Sequence, residues 1–334
     1  MEKNIRILVT GGTGFLGKHV CDKLRSRGFQ EIITFSRKDY NLTKESDVAR
    51  LFQDKAPIDI VLHLAAVVGG IGFNKENPGK IYYENIIMNT LIQEYSRLAG
   101  VSKFVGVGSV CSYPKIVPTP FKEESLWNGY PEETNAPYGL AKKSMLVQSQ
   151  AYAQQYGFNA IHLVMVNLYG PGDNSNPNTS HVIPALIRKF SEAKEKKYPE
   201  VVLWGTGTAS REFLYVADAA EGITLAMERY NKPSPVNLGS GQEVTIKDLA
   251  TRIAELAGFN GKIQWDATKP DGQPRRCLDV SKAEREFGFK AGTSLAEGLK
   301  KMISWYDVGE PQTNRTPQKP LVFDGRRGLT SSRF

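Results

Sequence analysis

The stretch from Ile5 to Leu24 limits the fold more than any other part of this chain. Ile5-Arg6-Ile7-Leu8-Val9 reads as a buried strand, and Thr10-Gly11-Gly12-Thr13-Gly14-Phe15-Leu16-Gly17 turns it directly into a helix with Leu16, Val20 and Leu24 on one face. Glycines at 11, 14 and 17 allow a tight turn, a close approach of backbone to a pyrophosphate, and helix N-terminal amides aimed at its charge. A glycine trio alone also serves as a packing turn. With a strand before it and a helix after it, it predicts a dinucleotide site built on Gly11, Thr13, Gly14, Phe15, Leu16 and Gly17.

The strand and helix pattern then repeats. A second strand, Glu31 to Ser36, ends in Ser36-Arg37-Lys38, where such a fold reads the adenosine ribose. An acidic residue there suits the 2′-hydroxyl of NAD, whereas Arg37 suits the 2′-phosphate of NADP; an exposed basic loop is the plainer alternative. A third strand, Ile58 to Leu64, runs into Ala65-Ala66 and the small residues up to Gly70, which places Leu64, Ala65 and Ala66 beside a cofactor. Ile81, Asn85, Met88 and Ile92 recur at helical spacing, and a fourth strand, Lys103 to Gly108, leaves Ser109 and Cys111 just past its carboxyl end. A helix opens at Asn135-Ala136-Pro137 and runs to about Tyr156, before Gly157; a further strand covers Ala160 to Val166. The fold class expected is α/β: a Rossmann-type doubly wound parallel sheet with a smaller mixed α/β substrate domain.

The Gly/Pro/Asn-rich run from Asn167 to Asn174 marks a change of composition. It suggests a nucleotide-binding domain over residues 1–172 and a mainly substrate-binding domain over 173–306, with some segments returning to the first, then a polar tail over 307–334. In the second half, a helix from His181 to Phe190, strands at Val201 to Trp204 and Arg211 to Val216, and helix starts at Thr245 (with Asp248) and Ser294 (a capping box with Glu297) are expected.

The net charge of +8 admits a nucleic acid or a small anion as partner. Basic residues are interspersed with acidic ones, as in Lys18, Asp22, Lys23 and Arg25, so an anionic small molecule is expected and nucleic acid is not. No apolar run nears the roughly 20 residues that cross a bilayer, and the N-terminus lacks a signal-peptide core, so a cytoplasmic protein without membrane attachment is expected. Cys21, Cys111 and Cys277 are far apart and odd in number, which indicates free thiols and no metal site.

Tyr138 and Lys142 stand four apart, on one face of their helix. A tyrosine near pKa ~10 moves protons at neutral pH only with help, and a neighbouring ammonium favours its phenolate. With Ser109 reaching in to hold a substrate oxygen, the three residues form a reduction centre. The pair alone would more often be two exposed helix residues.

The blocks TGGTGFLG, HLAA with VGGIG, GSVCSYP, YGLAKK, NLYGPGDN, HVIPALIRKF, WGTGTASREFLYV and KPDGQPRR make the chain, up to about residue 305, closely resemble the extended short-chain dehydrogenase/reductase family, in its branch acting on GDP-linked 4-keto-6-deoxy sugars. The resemblance implies a two-stage conversion of GDP-4-keto-6-deoxy-D-mannose to GDP-L-fucose: epimerisation at C3 and C5, then reduction at C4 by NADPH. It implies catalytic roles for Ser109, Cys111, Tyr138, Lys142 and His181, with Cys111 as base and His181 as acid, residues that unaided reading leaves as a small buried thiol and a loop histidine. It further implies that Asn167, Leu168 and His181, with Tyr138 and Lys142, line the cofactor, and that Ser109, Val110, Cys111, Lys189, Trp204, Arg211 and Lys269 meet the GDP-sugar. For Arg211 the ordinary alternative is an ion pair with a nearby carboxylate. A homodimer is implied as well. Val110 departs from the small polar residue expected at its place, and the tail has no counterpart. Two other readings stay open: a C4 reductase of a related GDP-keto-sugar such as a 6-deoxy-heptose, and a non-catalytic dinucleotide-responsive interaction protein.

Overall fold

The computed structural model describes residues 1–176, 180–269 and 271–309. In chain order its strands are β1 (Arg6–Thr10), β2 (Glu31–Ile33), β3 (Ile60–His63), β4 (Lys103–Ser109), β5 (Ala160–Met165), β6 (Asn167–Tyr169), β7 (Glu200–Trp204), β8 (Ser210–Tyr215), β9 (Val236–Leu238), β10 (Glu243–Thr245) and β11 (Lys262–Asp266). The helices are α1 (Phe15–Ser26), α2 (Glu45–Asp54), α3 (Ile71–Glu76), α4 (Pro78–Leu98), α5 (Ala136–Tyr156), α6 (Val182–Glu195), α7 (Val216–Arg229), α8 (Ile246–Ala257), α9 (Ser281–Phe287) and α10 (Leu295–Val308).

Period-two alternation in the strands divides the main core between two faces. Ile7 and Val9 of β1, Leu62 of β3, Val105 of β4 and Leu163 of β5 pack on one side with Val20 and Leu24 of α1 and Ala219 and Ile223 of α7. Leu8, Val61, Phe104 and Ala160 point the other way, onto Val48 and Leu51 of α2, Ile92 of α4 and Met145 of α5. A strand buried on both faces must be apolar nearly throughout, and parallel strands need helical crossovers to supply both covers. The resulting sheet has six strands in the order β2-β1-β3-β4-β5-β9, all pairs parallel. The chain winds outward from β1 to β2 in one direction and from β3 to β5 in the other. The crevice at that reversal, outside the carboxyl ends of β1 and β3, is where such a sheet binds ligands. The Rossmann-type doubly wound α/β fold read from the sequence is the fold observed.

The smaller lobe has its own core of Tyr169, Ile183, Ile187, Phe190, Phe213, Leu249, Ile253, Leu299 and Met302. It carries a sheet of three strands, β10-β8-β6, and the pair β11-β7.

Several boundaries differ from the expectation. The second strand stops at Ile33, because only residues 31–33 pair with β1, and the chain then turns as the Asp39 carboxylate accepts from Ser36 N and Oγ, both at 2.8 Å. At the start of α10, Ser294 Oγ accepts from Glu297 N at 3.2 Å, but Glu297 turns outward to Lys301 at 2.7 Å, so the capping box is made on one side only. That helix continues to Val308, past the point where the polar tail was expected; the rest of the tail, from residue 310, lies outside the described residues. No helix among the described residues is long and apolar enough to cross a membrane.

His63 and His162 sit inside this core, and burial holds both imidazoles down to about 3. The folded protein therefore keeps them neutral, while the unfolded chain takes up a proton on each near pH ~6.5. Stability is lost as pH falls from about 6.5 towards 3, with a slope approaching ~1.4 kcal/mol per pH unit for each group. Urea midpoints should fall steadily between pH 7 and pH 5, and less steeply in a His162→Gln variant; a flat profile would contradict the neutral burial of these rings.

Candidate active site

The turn after β1 is formed as its glycines require. Gly11 has φ +70°, and a Cβ there would lie 2.9 Å from Ala65 N. A Cβ on Gly17 would be driven into the carbonyl oxygen of Gly11. Gly14 caps α1 in an extended conformation, with no side-chain cap and no acidic residue in the first turn. The first amides of a helix have no intrahelical acceptor, so those that follow Thr13, at Phe15, Leu16 and Gly17, face the crevice as donors.

A buried polar chain joins this turn to α5. Thr10 Oγ1 lies 2.7 Å from His63 Nδ1, His63 Nε2 lies 3.0 Å from Asn89 Oδ1, and Asn89 Nδ2 donates to the Ala141 carbonyl at 2.9 Å. Because the amide nitrogen of Asn89 is committed to Ala141, its oxygen must accept, which puts the proton of the neutral ring on Nε2 and makes Thr10 the donor to Nδ1. Thr10 Oγ1 in turn accepts from Ala65 N at 3.2 Å. Along α4, Asn85 clamps both Val67 N and Val67 O, at 3.0 and 2.9 Å, which fixes the loop after Leu64, Ala65 and Ala66. The half-buried Leu64 packs against the main core.

Ser109 ends β4, and Val110–Ser112 form a single 3-10 turn in which Ser109 Oγ accepts from Cys111 N at 3.2 Å. The serine hydroxyl hydrogen stays available for another acceptor. This turn is locked to α5: Ser112 Oγ donates to Gly139 O at 2.9 Å, and a Cβ on Gly139 would strike the Cys111 carbonyl. The glycine between Tyr138 and Lys142 thus lets α5 and the cysteine turn touch. Val110 is 3% exposed within the main core. Its apolar side chain packs inward, so at this place only backbone is offered to a ligand.

Tyr138 is half-buried, and burial, with the charge of Cys111, pushes its phenol above the usual tyrosine range. Lys142 is 1% exposed, and burial lowers its ammonium to about 8. Its Nζ lies 6.0 Å from the Tyr138 ring centroid, and among the described residues nothing hydrogen-bonds it. The expectation that the neighbouring Lys142 ammonium favours the Tyr138 phenolate is not met, because burial raises the phenol. In the protein by itself the tyrosine is a neutral phenol suited to giving a proton, and the lysine is a buried donor awaiting an acceptor.

Beside Cys111 the structure adds a residue that sequence reasoning passed over. Arg276 Nη1 lies 3.8 Å from Cys111 Sγ, and its Nε and Nη2 donate to Gln273 Oε1 at 3.1 and 2.8 Å. Arg211 is close to both: burial first, then repulsion from Arg276, lower its guanidinium to about 10, while Cys111 and Asp271 act the other way. Its Nη1 donates to the carbonyls of Ser210 and Gln273, at 2.7 and 2.6 Å. Among the described residues it makes no ion pair, which removes the ordinary alternative for it. Arg276 stands in the KPDGQPRR block, so the signal was present although the contact was not.

Asn167 and Leu168 begin β6, half-buried, with Asn167 Nδ2 donating to Glu212 O at 3.2 Å. His181 precedes α6, its Nδ1 3.9 Å from the buried Asp173. Trp204, 70% exposed, has Lys269 Nζ 5.8 Å from its ring centroid, and Lys189 Nζ donates to Val202 O at 3.4 Å. These three lie along β7 of the smaller lobe. Arg37 is exposed and pairs with Glu84 at 3.2 Å. No group of metal-ligating side chains occurs among the described residues.

A glycine cradle at a topological switch point, facing serine, tyrosine and lysine from β4 and α5, defines a nicotinamide-dependent enzyme of the short-chain dehydrogenase/reductase type. Residues 7–239 match the NAD dependent epimerase/dehydratase family, and the chain belongs to it. It is 42% identical over 306 residues to the probable GDP-L-fucose synthase 1 of Oryza sativa subsp. japonica, covering 91% of this chain and 93% of that one. Among solved structures it is similar to a GDP-6-OMe-4-keto-L-xylo-heptose reductase from C. jejuni, with TM-score 0.87, 29% identity and coverage of 93% and 99%. It is also similar to a GDP-L-fucose synthetase from Naegleria fowleri bound to NADP, with TM-score 0.83, 28% identity and coverage of 92% and 95%.

Proposed function

We propose that this protein is a 3,5-epimerase and NADPH-dependent 4-reductase that converts GDP-4-keto-6-deoxy-D-mannose to GDP-L-fucose. The observation that carries this reading is the contact between two chemistries: the turn bearing Cys111 packs through Gly139 onto the helix bearing Tyr138 and Lys142. Reduction alone has no use for a thiol there. The GDP-L-fucose synthase relative of 42% identity supports the same substrate.

The residues fit a phosphorylated nicotinamide dinucleotide. Gly11 to Gly17 form the cradle for its pyrophosphate, the buried Lys142 ammonium, without a hydrogen-bond partner among the described residues, suits a ribose hydroxyl, and Arg37 suits a 2′-phosphate. When bound, NADPH supplies the hydride that reduces C4. Ser109, whose oxygen accepts from Cys111 N, donates its hydroxyl hydrogen to the 4-keto oxygen. That polarises the ketone and acidifies the hydrogens at C3 and C5. Cys111 removes such a proton, with the positive charge of Arg276 and Arg211 beside it, and His181 returns one on the opposite face. Tyr138 then protonates the oxygen at C4. Arg211 and Lys189 are suited to the diphosphate, and Trp204 with Lys269 to the guanine ring.

The similarity to the heptose reductase favours one second reading, a C4 reductase of a related GDP-4-keto-sugar. Tyr82, Tyr83 and Leu98 of α4 and Val147 and Tyr156 of α5 are exposed, and these helices are the faces that a homodimer of this chain would bury. Three unpaired cysteines suit the reducing cytoplasm.

Incubation with NADPH and a panel of GDP-4-keto-sugars in D2O, followed by NMR of the products, tests the reading. Deuterium at C3 and C5 of GDP-L-fucose is expected. Reduction without deuterium incorporation would leave the reductase alone.

A further inference from the structure

Asp173 lies in the Gly-Pro-Gly-Asp-Asn loop between β6 and α6 and is 4% exposed. The loop is pinned: Asp173 N donates to Gly170 O at 3.1 Å, and the Pro171 carbonyl, 2.9 Å from His19 Nε2, ties it to α1. One carboxylate oxygen, Oδ1, accepts from Asn174 N at 2.8 Å and lies 3.9 Å from His181 Nδ1. The other, Oδ2, is buried with no hydrogen-bond partner among the described residues. The buried carboxylate thus keeps acceptor capacity that Asn174 N does not fill, and the His181 imidazole stands beside it on the Oδ1 side. The ring is 40% exposed, and a reorientation that shortens this 3.9 Å separation to the ~2.8 Å of a charge-assisted hydrogen bond supplies the donor.

We propose that Asp173 is a positioning residue that holds His181 in the tautomer and orientation needed to deliver a proton to the sugar, a role resting on the epimerase reading given above. With Nδ1–H directed at Asp173, Nε2 is the nitrogen left to face the substrate. The imidazolium gives its Nε2 proton to the carbanionic carbon and becomes neutral imidazole, still donating through Nδ1 to a carboxylate that stays ionised. Cys111 carries the proton taken from the opposite face, and exchange with solvent restores both groups.

The test uses the full chain and its Asp173→Asn, His181→Asn and doubly substituted variants. Deuterium incorporation at C3 and C5 should fall about 10- to 100-fold in Asp173→Asn, with the Kd for NADPH unchanged, and Asp173→Asn should cause no further loss when His181 is already Asn. Losses that multiply in the double variant would mean that Asp173 acts elsewhere and would overturn the proposal. A second readout needs no turnover: the 15N shifts of the His181 ring should report Nδ1–H in the unmodified protein and a move towards Nε2–H in Asp173→Asn. Unchanged ring shifts would overturn the proposal even with epimerisation intact. If the unmodified protein reduces the ketone without exchange, the epimerase reading fails by itself, and the ring shifts still decide the Asp173–His181 contact.

Discussion

Replacing Tyr138 by phenylalanine is expected to lower the rate of NADPH oxidation by about 10²- to 10⁴-fold, the usual contribution of a positioned proton donor. The ring is half-buried on the face of α5 that carries Lys142, so phenylalanine fills the same space and fold and cofactor affinity should persist. What disappears is the proton for the oxygen at C4. Burial raises the phenol above its ordinary range, so the group is neutral across physiological pH and ready to donate. The substitution should leave deuterium incorporation at C3 and C5 in place, because Cys111 and His181 do not use the phenol. Stopped-flow absorbance of NADPH, with NMR of the sugar in the same mixture, separates the two stages. A loss below tenfold would mean that another group supplies the proton.

Replacing Cys111 by serine is expected to do the converse. Incorporation at C3 and C5 should fall about 10²- to 10⁴-fold, because an alcohol supplies almost no conjugate base at neutral pH, whereas a thiol can supply thiolate. The side chain is half-buried between the end of β4 and Arg276, so serine is accommodated without repacking. The Kd for NADPH should not change, because the glycine turn and Lys142 are untouched. Any reduction that continues should yield a sugar with its original configuration at C3 and C5. Incorporation within threefold of the unmodified rate would remove Cys111 from the role of base.

The parts legible in the sequence are those encoded locally. Gly11, Gly14 and Gly17 in one turn, Tyr138 and Lys142 on one helical face, and the Asn135-Ala136-Pro137 start of α5 are short-range patterns, and each appears in the fold as spaced. The expected helix end before Gly157 also holds, since α5 stops at Tyr156 and Gly157 adopts a left-handed conformation. What could not be read depends on distant partners. Arg276 meets Cys111 across 165 positions of sequence, and a spacing rule cannot join them. The chain Thr10, His63, Asn89 and Ala141 spans four elements, and in sequence its members look like unrelated polar residues in apolar runs. Lys142 shows the opposite failure: its spacing from Tyr138 was read correctly, yet its burial without a hydrogen-bond partner among the described residues is a property of the folded surroundings. For Val110 the burial of the side chain in the main core was likewise not readable from the family pattern.

The parallel pairing of β5 with β9 has a consequence for how this protein can be divided. The segment that builds β6, α6, β7 and β8 leaves the large sheet at β5 and returns to it at the adjacent strand β9, and the chain then leaves again to add β10, α8, β11 and α10, so the smaller lobe is built from two stretches that flank β9. A chain truncated after residue 172 would lack Val236–Leu238 and expose the β5 edge, a row of unpaired amides and carbonyls that recruits strands from other molecules. Exchange of the smaller lobe between relatives must therefore transfer both flanking stretches and keep β9 paired on β5, or leave a large sheet that aggregates through its own open edge.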